Sequence, residues 1–322
     1  MGVSDVLPRS RRRTRRRAPR RSVTGVVVGV VVLGVGAAAT AGVVTVLRSL
    51  DDAAEPVRCA AELDGTSWYL TPEQAGNAAL VVGTSVQRGL PARAGTIGIA
   101  TALQESRLVN IDHGDRDSLG LFQQRPSQGW GTPEQIMDPV YSTGAFYDGL
   151  VEVEGYEGLE VTVAAQAVQR SGFPDAYAQH ETRARAWASA LTGHSPGALT
   201  CTLPQAADDD PSGAAGAVEL TELLMRDLGL PQGMTAQVEA DATSSAVVVD
   251  ATALPFDDAG RSGWAVAHWA VATASATGAV EVRAGDRVWT REEGAWSALP
   301  DGEDARPAGQ VTVRLNSPEQ PG

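Results

Sequence analysis

Apolar and polar positions divide the chain into three stretches of different texture. Residues 23–47 carry no charged side chain and consist of Val, Gly, Ala, Leu and Thr. About 20 such residues span a bilayer as a helix, so this run predicts an N-terminal transmembrane helix. In the second stretch, apolar residues recur at helical spacing. Thr71-Pro72-Glu73 reads as a cap, a first-turn proline and an early acid. Ala75, Ala78, Ala79, Val82 and Val86 form the inward face of that helix, and Gly89 ends it. A second helix is predicted over 94–107, with Ile97, Ile99, Ala100 and Leu103 inward. A polar, Asp-rich loop (108–118) and a short apolar element (119–122) follow. Further helices are expected to start at Thr132-Pro133-Glu134 and Asp138-Pro139. A last helical stretch spans 161–191, interrupted at 172–174. Strand signal is scarce, so 59–201 reads as a mainly α domain.

The third stretch alternates. A helix (217–230), a strand (246–250), a helix (264–276), a hairpin around Gly285-Asp286 and a terminal strand (311–315) predict a small α+β domain over 217–315. Composition marks the joints: an acidic linker at 48–58, a linker rich in Pro, Asp, Ala and Gly at 202–216, and a tail at 316–322.

Charge changes the picture at the N-terminus. Nine Arg lie within residues 9–21 beside one acid, Asp5; the remaining 17 Arg face 38 acids, a net of −21. So acidic a body excludes a basic nucleic-acid-binding surface, and no nucleic-acid partner is expected. The basic segment 1–22 precedes the apolar run, and Asp51, Asp52 and Glu55 follow it. The positive-inside rule then puts 1–22 in the cytoplasm and the body on the extracellular, cell-wall side of a single-pass anchor. Ala37-Ala38-Ala39 and Ala39-Thr40-Ala41 also fit a cleavage site and Arg20-Arg21 a twin-arginine signal, which leaves a cleaved signal peptide open. Both readings export the body. The chain has no Lys and abundant Ala, Gly and Val, the coding bias of a GC-rich bacterium. The two cysteines, Cys59 and Cys201, bracket the helical stretch, and in an oxidising envelope they are expected to pair. None of the four His is spaced with them as a metal ligand, so neither metal nor cofactor is expected.

Candidate chemistry lies in Ala102-Leu103-Gln104-Glu105-Ser106-Arg107 and in Ser118-Leu119-Gly120-Leu121-Phe122-Gln123-Gln124-Arg125-Pro126. Glu105 ends an apolar helix, where the negative end of the macrodipole and a dry wall both favour the protonated carboxyl. Such an acid can protonate a glycosidic oxygen. Across 59–201 the chain resembles the lytic transglycosylase and goose-type lysozyme group, of membrane-anchored actinobacterial type. That group carries Glu-Ser at a helix end, then Ser and Gly-Leu-Met-Gln-x-x-Pro; Phe122 stands for the Met. The resemblance implies a lysozyme-like fold and peptidoglycan glycan strands as the partner. It also implies cleavage of the β-1,4 bond between N-acetylmuramic acid and N-acetylglucosamine. Glu105 would be acid and then base, with the sugar's own 6-hydroxyl attacking to leave a 1,6-anhydro end.

The loop Asp112-His113-Gly114-Asp115-Arg116-Asp117 admits two readings: Asp117, or failing it Asp115, as a second catalytic carboxylate, favouring hydrolysis, or a solvated loop of Asp–Arg pairs. A calcium loop lacks its downstream Glu. Ser118, Gln123 and Gln124 are candidate substrate contacts; Trp130 would stack on a sugar or lie in the core. The group's third element, Ala-Tyr-Asn-Ala-Gly, is altered to Ala164-Ala165-Gln166-Ala167-Val168. Gln166 replaces the Asn and the Tyr is gone, with Tyr177 the candidate for the vacated space. A catalytically inactive, glycan-binding scaffold is therefore the alternative. The C-terminal region faintly resembles a cell-wall domain related to zinc peptidases, but 311–315 has no His and His268 falls mid-helix. Trp264, Trp269, Trp289 and Trp296 are expected to fill its core, leaving a binding or spacer role. Ligand clusters are absent, which argues against a metal carrier, and the sequence names no protein partner.

Overall fold

The computed structural model describes residues 56–173, 175–207, 210–239 and 245–316, all within one compact unit, Pro56–Gly322. It begins with a hairpin, β1 (Arg58–Leu63) and β2 (Thr66–Leu70). The connecting Asp64 and Gly65 both have positive φ, 52° and 72°. A two-residue turn of that handedness matches the twist of the strands, which is why Asp-Gly serves here. β3 (Leu199–Thr202) pairs with the other edge of β1, giving the order β2-β1-β3, antiparallel throughout. Cys59 lies opposite Cys201 in this ladder, and the expected disulfide joins them.

Between β2 and β3 run six helices: α1 (Pro72–Gln87), α2 (Ala92–Ser106), α3 (Pro133–Met137), α4 (Pro139–Val151), α5 (Val161–Gln169) and α6 (Glu181–Leu191). α1 and α3 start where their capping boxes require, Thr71 with Gln74 and Thr132 with Gln135. α2 is buried without a break from Ala94 to Leu103. Its small and aliphatic residues allow α1, α4, α5 and α6 to pack around it. Gly98 is needed there, because a Cβ would stand 2.6 Å from the Tyr147 hydroxyl.

The chain continues through α7 (Gly213–Leu228), β4 (Thr235–Glu239), β5 (Ser245–Asp250), α8 (Ala259–Ala272), α9 (Ala274–Thr277), β6 (Ala279–Ala284), β7 (Arg287–Thr290), β8 (Ala295–Ala298) and β9 (Gln310–Leu315). The strands form one antiparallel sheet of order β4-β5-β9-β6-β7-β8. α8 packs on β6 and β9 and also on α1, α6 and β3. One hydrophobic core therefore runs through both regions.

This overturns the expected architecture. The region 59–201 is not a mainly α lysozyme-like domain: it contains a three-stranded sheet. The C-terminal part is not a small separate α+β domain: its six-stranded sheet and α8 share the core of the helices. β1, Arg-Cys-Ala-Ala-Glu-Leu, has neither β-branched nor aromatic residues, so local propensity does not announce it. β4 and β8 were likewise unexpected. Trp269 and Trp289 are buried core residues, Trp264 and Trp296 pack against the core, and Trp289 and Trp296 also close the junction between the two regions. Trp296 Nε1 donates to Leu199 O (2.7 Å) and Trp289 Nε1 to Thr200 Oγ1 (3.1 Å), while Trp269 Nε1 donates to the buried Asp227 (2.9 Å) within the C-terminal region. Two points of the expected linker 202–216 are tied to the C-terminal strands: Arg291 Nε donates to Pro204 O at 2.7 Å, and Ser212 bridges to Asn316. The basic segment 1–22, the apolar run 23–47, most of the linker 48–58 and the tail beyond Asn316 lie outside the described residues. No helix among the described residues is long and apolar enough to cross a membrane.

Candidate functional site

Glu105 is the penultimate residue of α2. The helix stops because Arg107 and Leu108 both turn left-handed, at φ 59° and 62°. Such backbone costs about 1 kcal/mol or more per non-glycine residue and persists only where the surroundings hold it. Here α1 holds it: Gln74 Nε2 donates to Arg107 O (2.7 Å) and Asn77 Nδ2 to Leu108 O (3.0 Å).

The second motif is a tight turn. Leu119 and Gln124 exchange two backbone hydrogen bonds of 3.0 Å, closing residues 120–123 into a loop. Gly120 has φ 76°, and a Cβ there would meet Ile136 O at 2.6 Å. Leu121 and Phe122 are fully buried, with Phe122 stacked on Phe146 at 4.6 Å between centroids. The Ser106 hydroxyl donates to Leu121 O at 2.7 Å. The residue after Glu105 is thus pinned to a turn that is itself rooted in the core.

The Glu105 carboxyl is half-buried. Tyr177 Oη donates to its Oε1 at 2.6 Å, and the Gln169 amide donates to Phe122 O at 2.7 Å. Burial raises the pKa of Glu105 above the ordinary 4.5; donation from Tyr177 pulls the other way without cancelling the rise. Burial and the neighbouring carboxylate also raise the pKa of Tyr177, which keeps its proton. Tyr177 is positioned by the 3₁₀ turn Ala178–His180, where Gln179 Nε2 and His180 Nε2 lie 3.1 and 3.2 Å from Gln104 Oε1. No family model matches the chain, and no curated protein matches it.

The remaining candidates are dispersed. Asp117 accepts from Arg125 Nε (2.7 Å) and from Ser127 N (2.8 Å). These donors, Ser127 before Arg125, hold its carboxyl far below the usual range, so it staples the loop as a fixed anion. Asp112 pairs with His113, and Asp115 lies 3.8 Å from Arg116, all at the surface. Ser118 is buried. Gln123 lies over Gly114 and donates to His113 O and Gly120 O, both at 3.3 Å. Gln124 does not face a cleft: it is 2% exposed and donates to Ser142 O at 3.1 Å. That is a correction to its expected substrate contact; its neighbours in the turn drive it inward. Trp130 is half-buried against the core, and its carbonyl accepts from Tyr141 Oη at 3.2 Å. Gln166 bonds Ser171 O at 2.8 Å. In the C-terminal region His268 is fully buried, with Nδ1 2.7 Å from Ala190 O, and burial pushes its pKa down to about 4.

One side chain therefore meets the Glu105 carboxyl. Tyr177 comes from outside the altered third motif. Gln169, four residues after the buried Ala165 on α5, ties that helix to the turn through Phe122 O.

Proposed function

We propose that the protein cleaves peptidoglycan glycan strands by lytic transglycosylase chemistry, with Glu105 as its general acid and base. The observation that carries this reading is a single half-buried carboxyl with raised pKa, hydrogen-bonded by a buried phenol, at the end of α2 beside the Gly120–Gln123 turn. Burial keeps the proton available for the leaving glycosidic oxygen. As the bond to the anomeric carbon breaks, Glu105 becomes the carboxylate that Tyr177 is oriented to receive. It then takes the proton of the 6-hydroxyl as that oxygen bonds the anomeric carbon. Both oxygens of Asp117 are occupied by Arg125 and Ser127, which favours one carboxyl acting twice over a two-carboxylate hydrolase. The basic and apolar N-terminal segments, together with the Cys59–Cys201 disulfide, support a cell-envelope location with the body on the wall side.

The test is incubation of the full-length protein with purified peptidoglycan, followed by mass spectrometry of the released muropeptides. Anhydro-muropeptides are expected, falling about a hundredfold or more in Glu105→Gln. Reducing ends would replace the mechanism with hydrolysis. Co-sedimentation with the wall and no products would replace the enzyme with a glycan-binding scaffold.

A further inference from the structure

Two glycines on one face of α1 have opposite surroundings. Gly83 is where α1 meets α7: a Cβ there would stand 2.7 Å from Asp227 O. Gly76, about two turns earlier on the same face, would meet nothing within 4 Å. The open space beside it is a cavity of about 460 Å³ between α1, α7 and the end of α8, within the size range of small-ligand sites. Leu80 and Leu223 give it an apolar wall. Its charged lining is Glu73, Glu219 and Asp227 against Arg226 alone. Asp227 is buried and already matched, accepting from Arg226 Nε at 2.6 Å and from Trp269 Nε1 at 2.9 Å. Glu73 and Glu219 are exposed, and neither forms an ion pair among the described residues. Two uncompensated carboxylates thus share the cavity with an apolar wall. The walls are set before any ligand arrives: Asn77 Nδ2 is held by Leu108 O at 3.0 Å and Thr273 Oγ1 by Trp269 O at 2.9 Å. A preformed site loses little to ordering on binding.

We propose that this cavity is a docking site for an arginine side chain on a basic segment of a partner protein. The aliphatic stem lies against Leu80 and Leu223, and the guanidinium meets Glu73 and Glu219. Arginine suits both halves of the lining: its stem buries on apolar surface while its head stays at the mouth, and its planar fork of N–H donors can serve more than one carboxylate. The acidic body draws such a partner toward it. The site stands apart from Glu105 and does not rest on the glycan-cleavage reading.

The test is an NMR titration of the full-length protein with the blocked tripeptide acetyl-Leu-Arg-Leu-amide. The backbone amides of Gly76, Asn77 and Leu223 are expected to shift and saturate. The same peptide with citrulline, which keeps the shape and loses the charge, should bind about fivefold more weakly, the scale of two exposed ion pairs. Glu73→Gln combined with Glu219→Gln should weaken the arginine peptide by a similar factor. Gly76→Leu places a side chain in the open space and improves the helix, so it should abolish saturation without lowering the melting temperature. Free L-arginine carries a carboxylate that the acidic mouth repels, and should bind more weakly than the blocked peptide. Absence of saturable shifts in the wild type overturns the proposal, as does equal binding of the citrulline peptide or unchanged binding in the double glutamine variant. Should Gly76→Leu fail to fold, the glutamine variant, altered only at exposed positions, still decides. L-arginine binding as tightly as the peptide would assign the cavity to a small cation and overturn the protein partner.

Discussion

Replacing Cys59 and Cys201 together by alanine removes the only covalent link between β1 and β3. The two cysteines are 142 residues apart. In the chain-entropy relation, a cross-link closing a loop of that length takes about 5 kcal/mol of freedom from the unfolded state. The native ladder from Arg58↔Thr202 to Ala61↔Leu199 remains in the variant, and residual structure in the unfolded chain reduces the gain. A loss of about 3–5 kcal/mol is therefore expected. β3 also accepts the indole N–H groups of Trp289 and Trp296, so loosening it loosens the junction of the two sheets. Because one core serves both regions, unfolding in urea should remain one transition, with its midpoint lowered and its slope changed little. Thermal unfolding should fall by about 10 °C. A variant within about 1 kcal/mol of wild type would refute the entropic account and leave the ladder and indole bonds as sufficient. The same cysteines test the location: protein isolated from cells should resist thiol labelling until reduced, and free thiols would contradict export.

Two further perturbations probe buried groups. Tyr177→Phe keeps the ring and removes a donor to Glu105, so the raised Glu105 pKa should rise further. A carboxyl whose folded pKa lies above its unfolded value adds stability below the ordinary 4.5 and loses it as pH rises through the folded value. Tyr177→Phe should therefore destabilise more at pH 7 than at pH 4, by about 1–2 kcal/mol for a partly screened, charge-assisted bond, and equal urea penalties at both pH values would refute this. His268, whose pKa is pushed from 6.5 to about 4, works in the opposite direction. The unfolded chain takes the proton first, so stability is full above pH 6.5 and declines by about 3 kcal/mol as pH falls toward 4. His268→Phe should flatten that decline in urea melts from pH 7 to 4, whatever its effect at pH 7; an unchanged slope would exclude His268 as its source.

The legible parts of the molecule are those decided within a few residues. The starts of α1 and α3 follow from Thr71 with Gln74 and Thr132 with Gln135, each pair three residues apart. Asp64-Gly65 is equally local and marks the β1–β2 hairpin, although of the flanking strands only β2, Thr-Ser-Trp-Tyr-Leu, has β-branched and aromatic residues. The third strand of that sheet could not be read in this way, because its partner is at the far end of the helical region. Gln124 shows the same limit at the site: two adjacent glutamines are indistinguishable along the chain, yet the turn sends one into the core and leaves the other at the loop.

By itself, the order of amino acids determined the capped starts of α1 and α3, the cysteine pair, the charge contrast between the N-terminus and the body, and Glu105 at a helix end. Each depends on short-range hydrogen bonding, on counting or on composition. Only the tertiary structure decided that both sheets share one core and that Asp117 is tied to Arg125 and Ser127. It alone brought Tyr177, 72 residues away, to Glu105. The physical reason is that such contacts form only when packing many distant side chains outweighs the entropy of closing long loops, a balance that no local stretch of sequence contains.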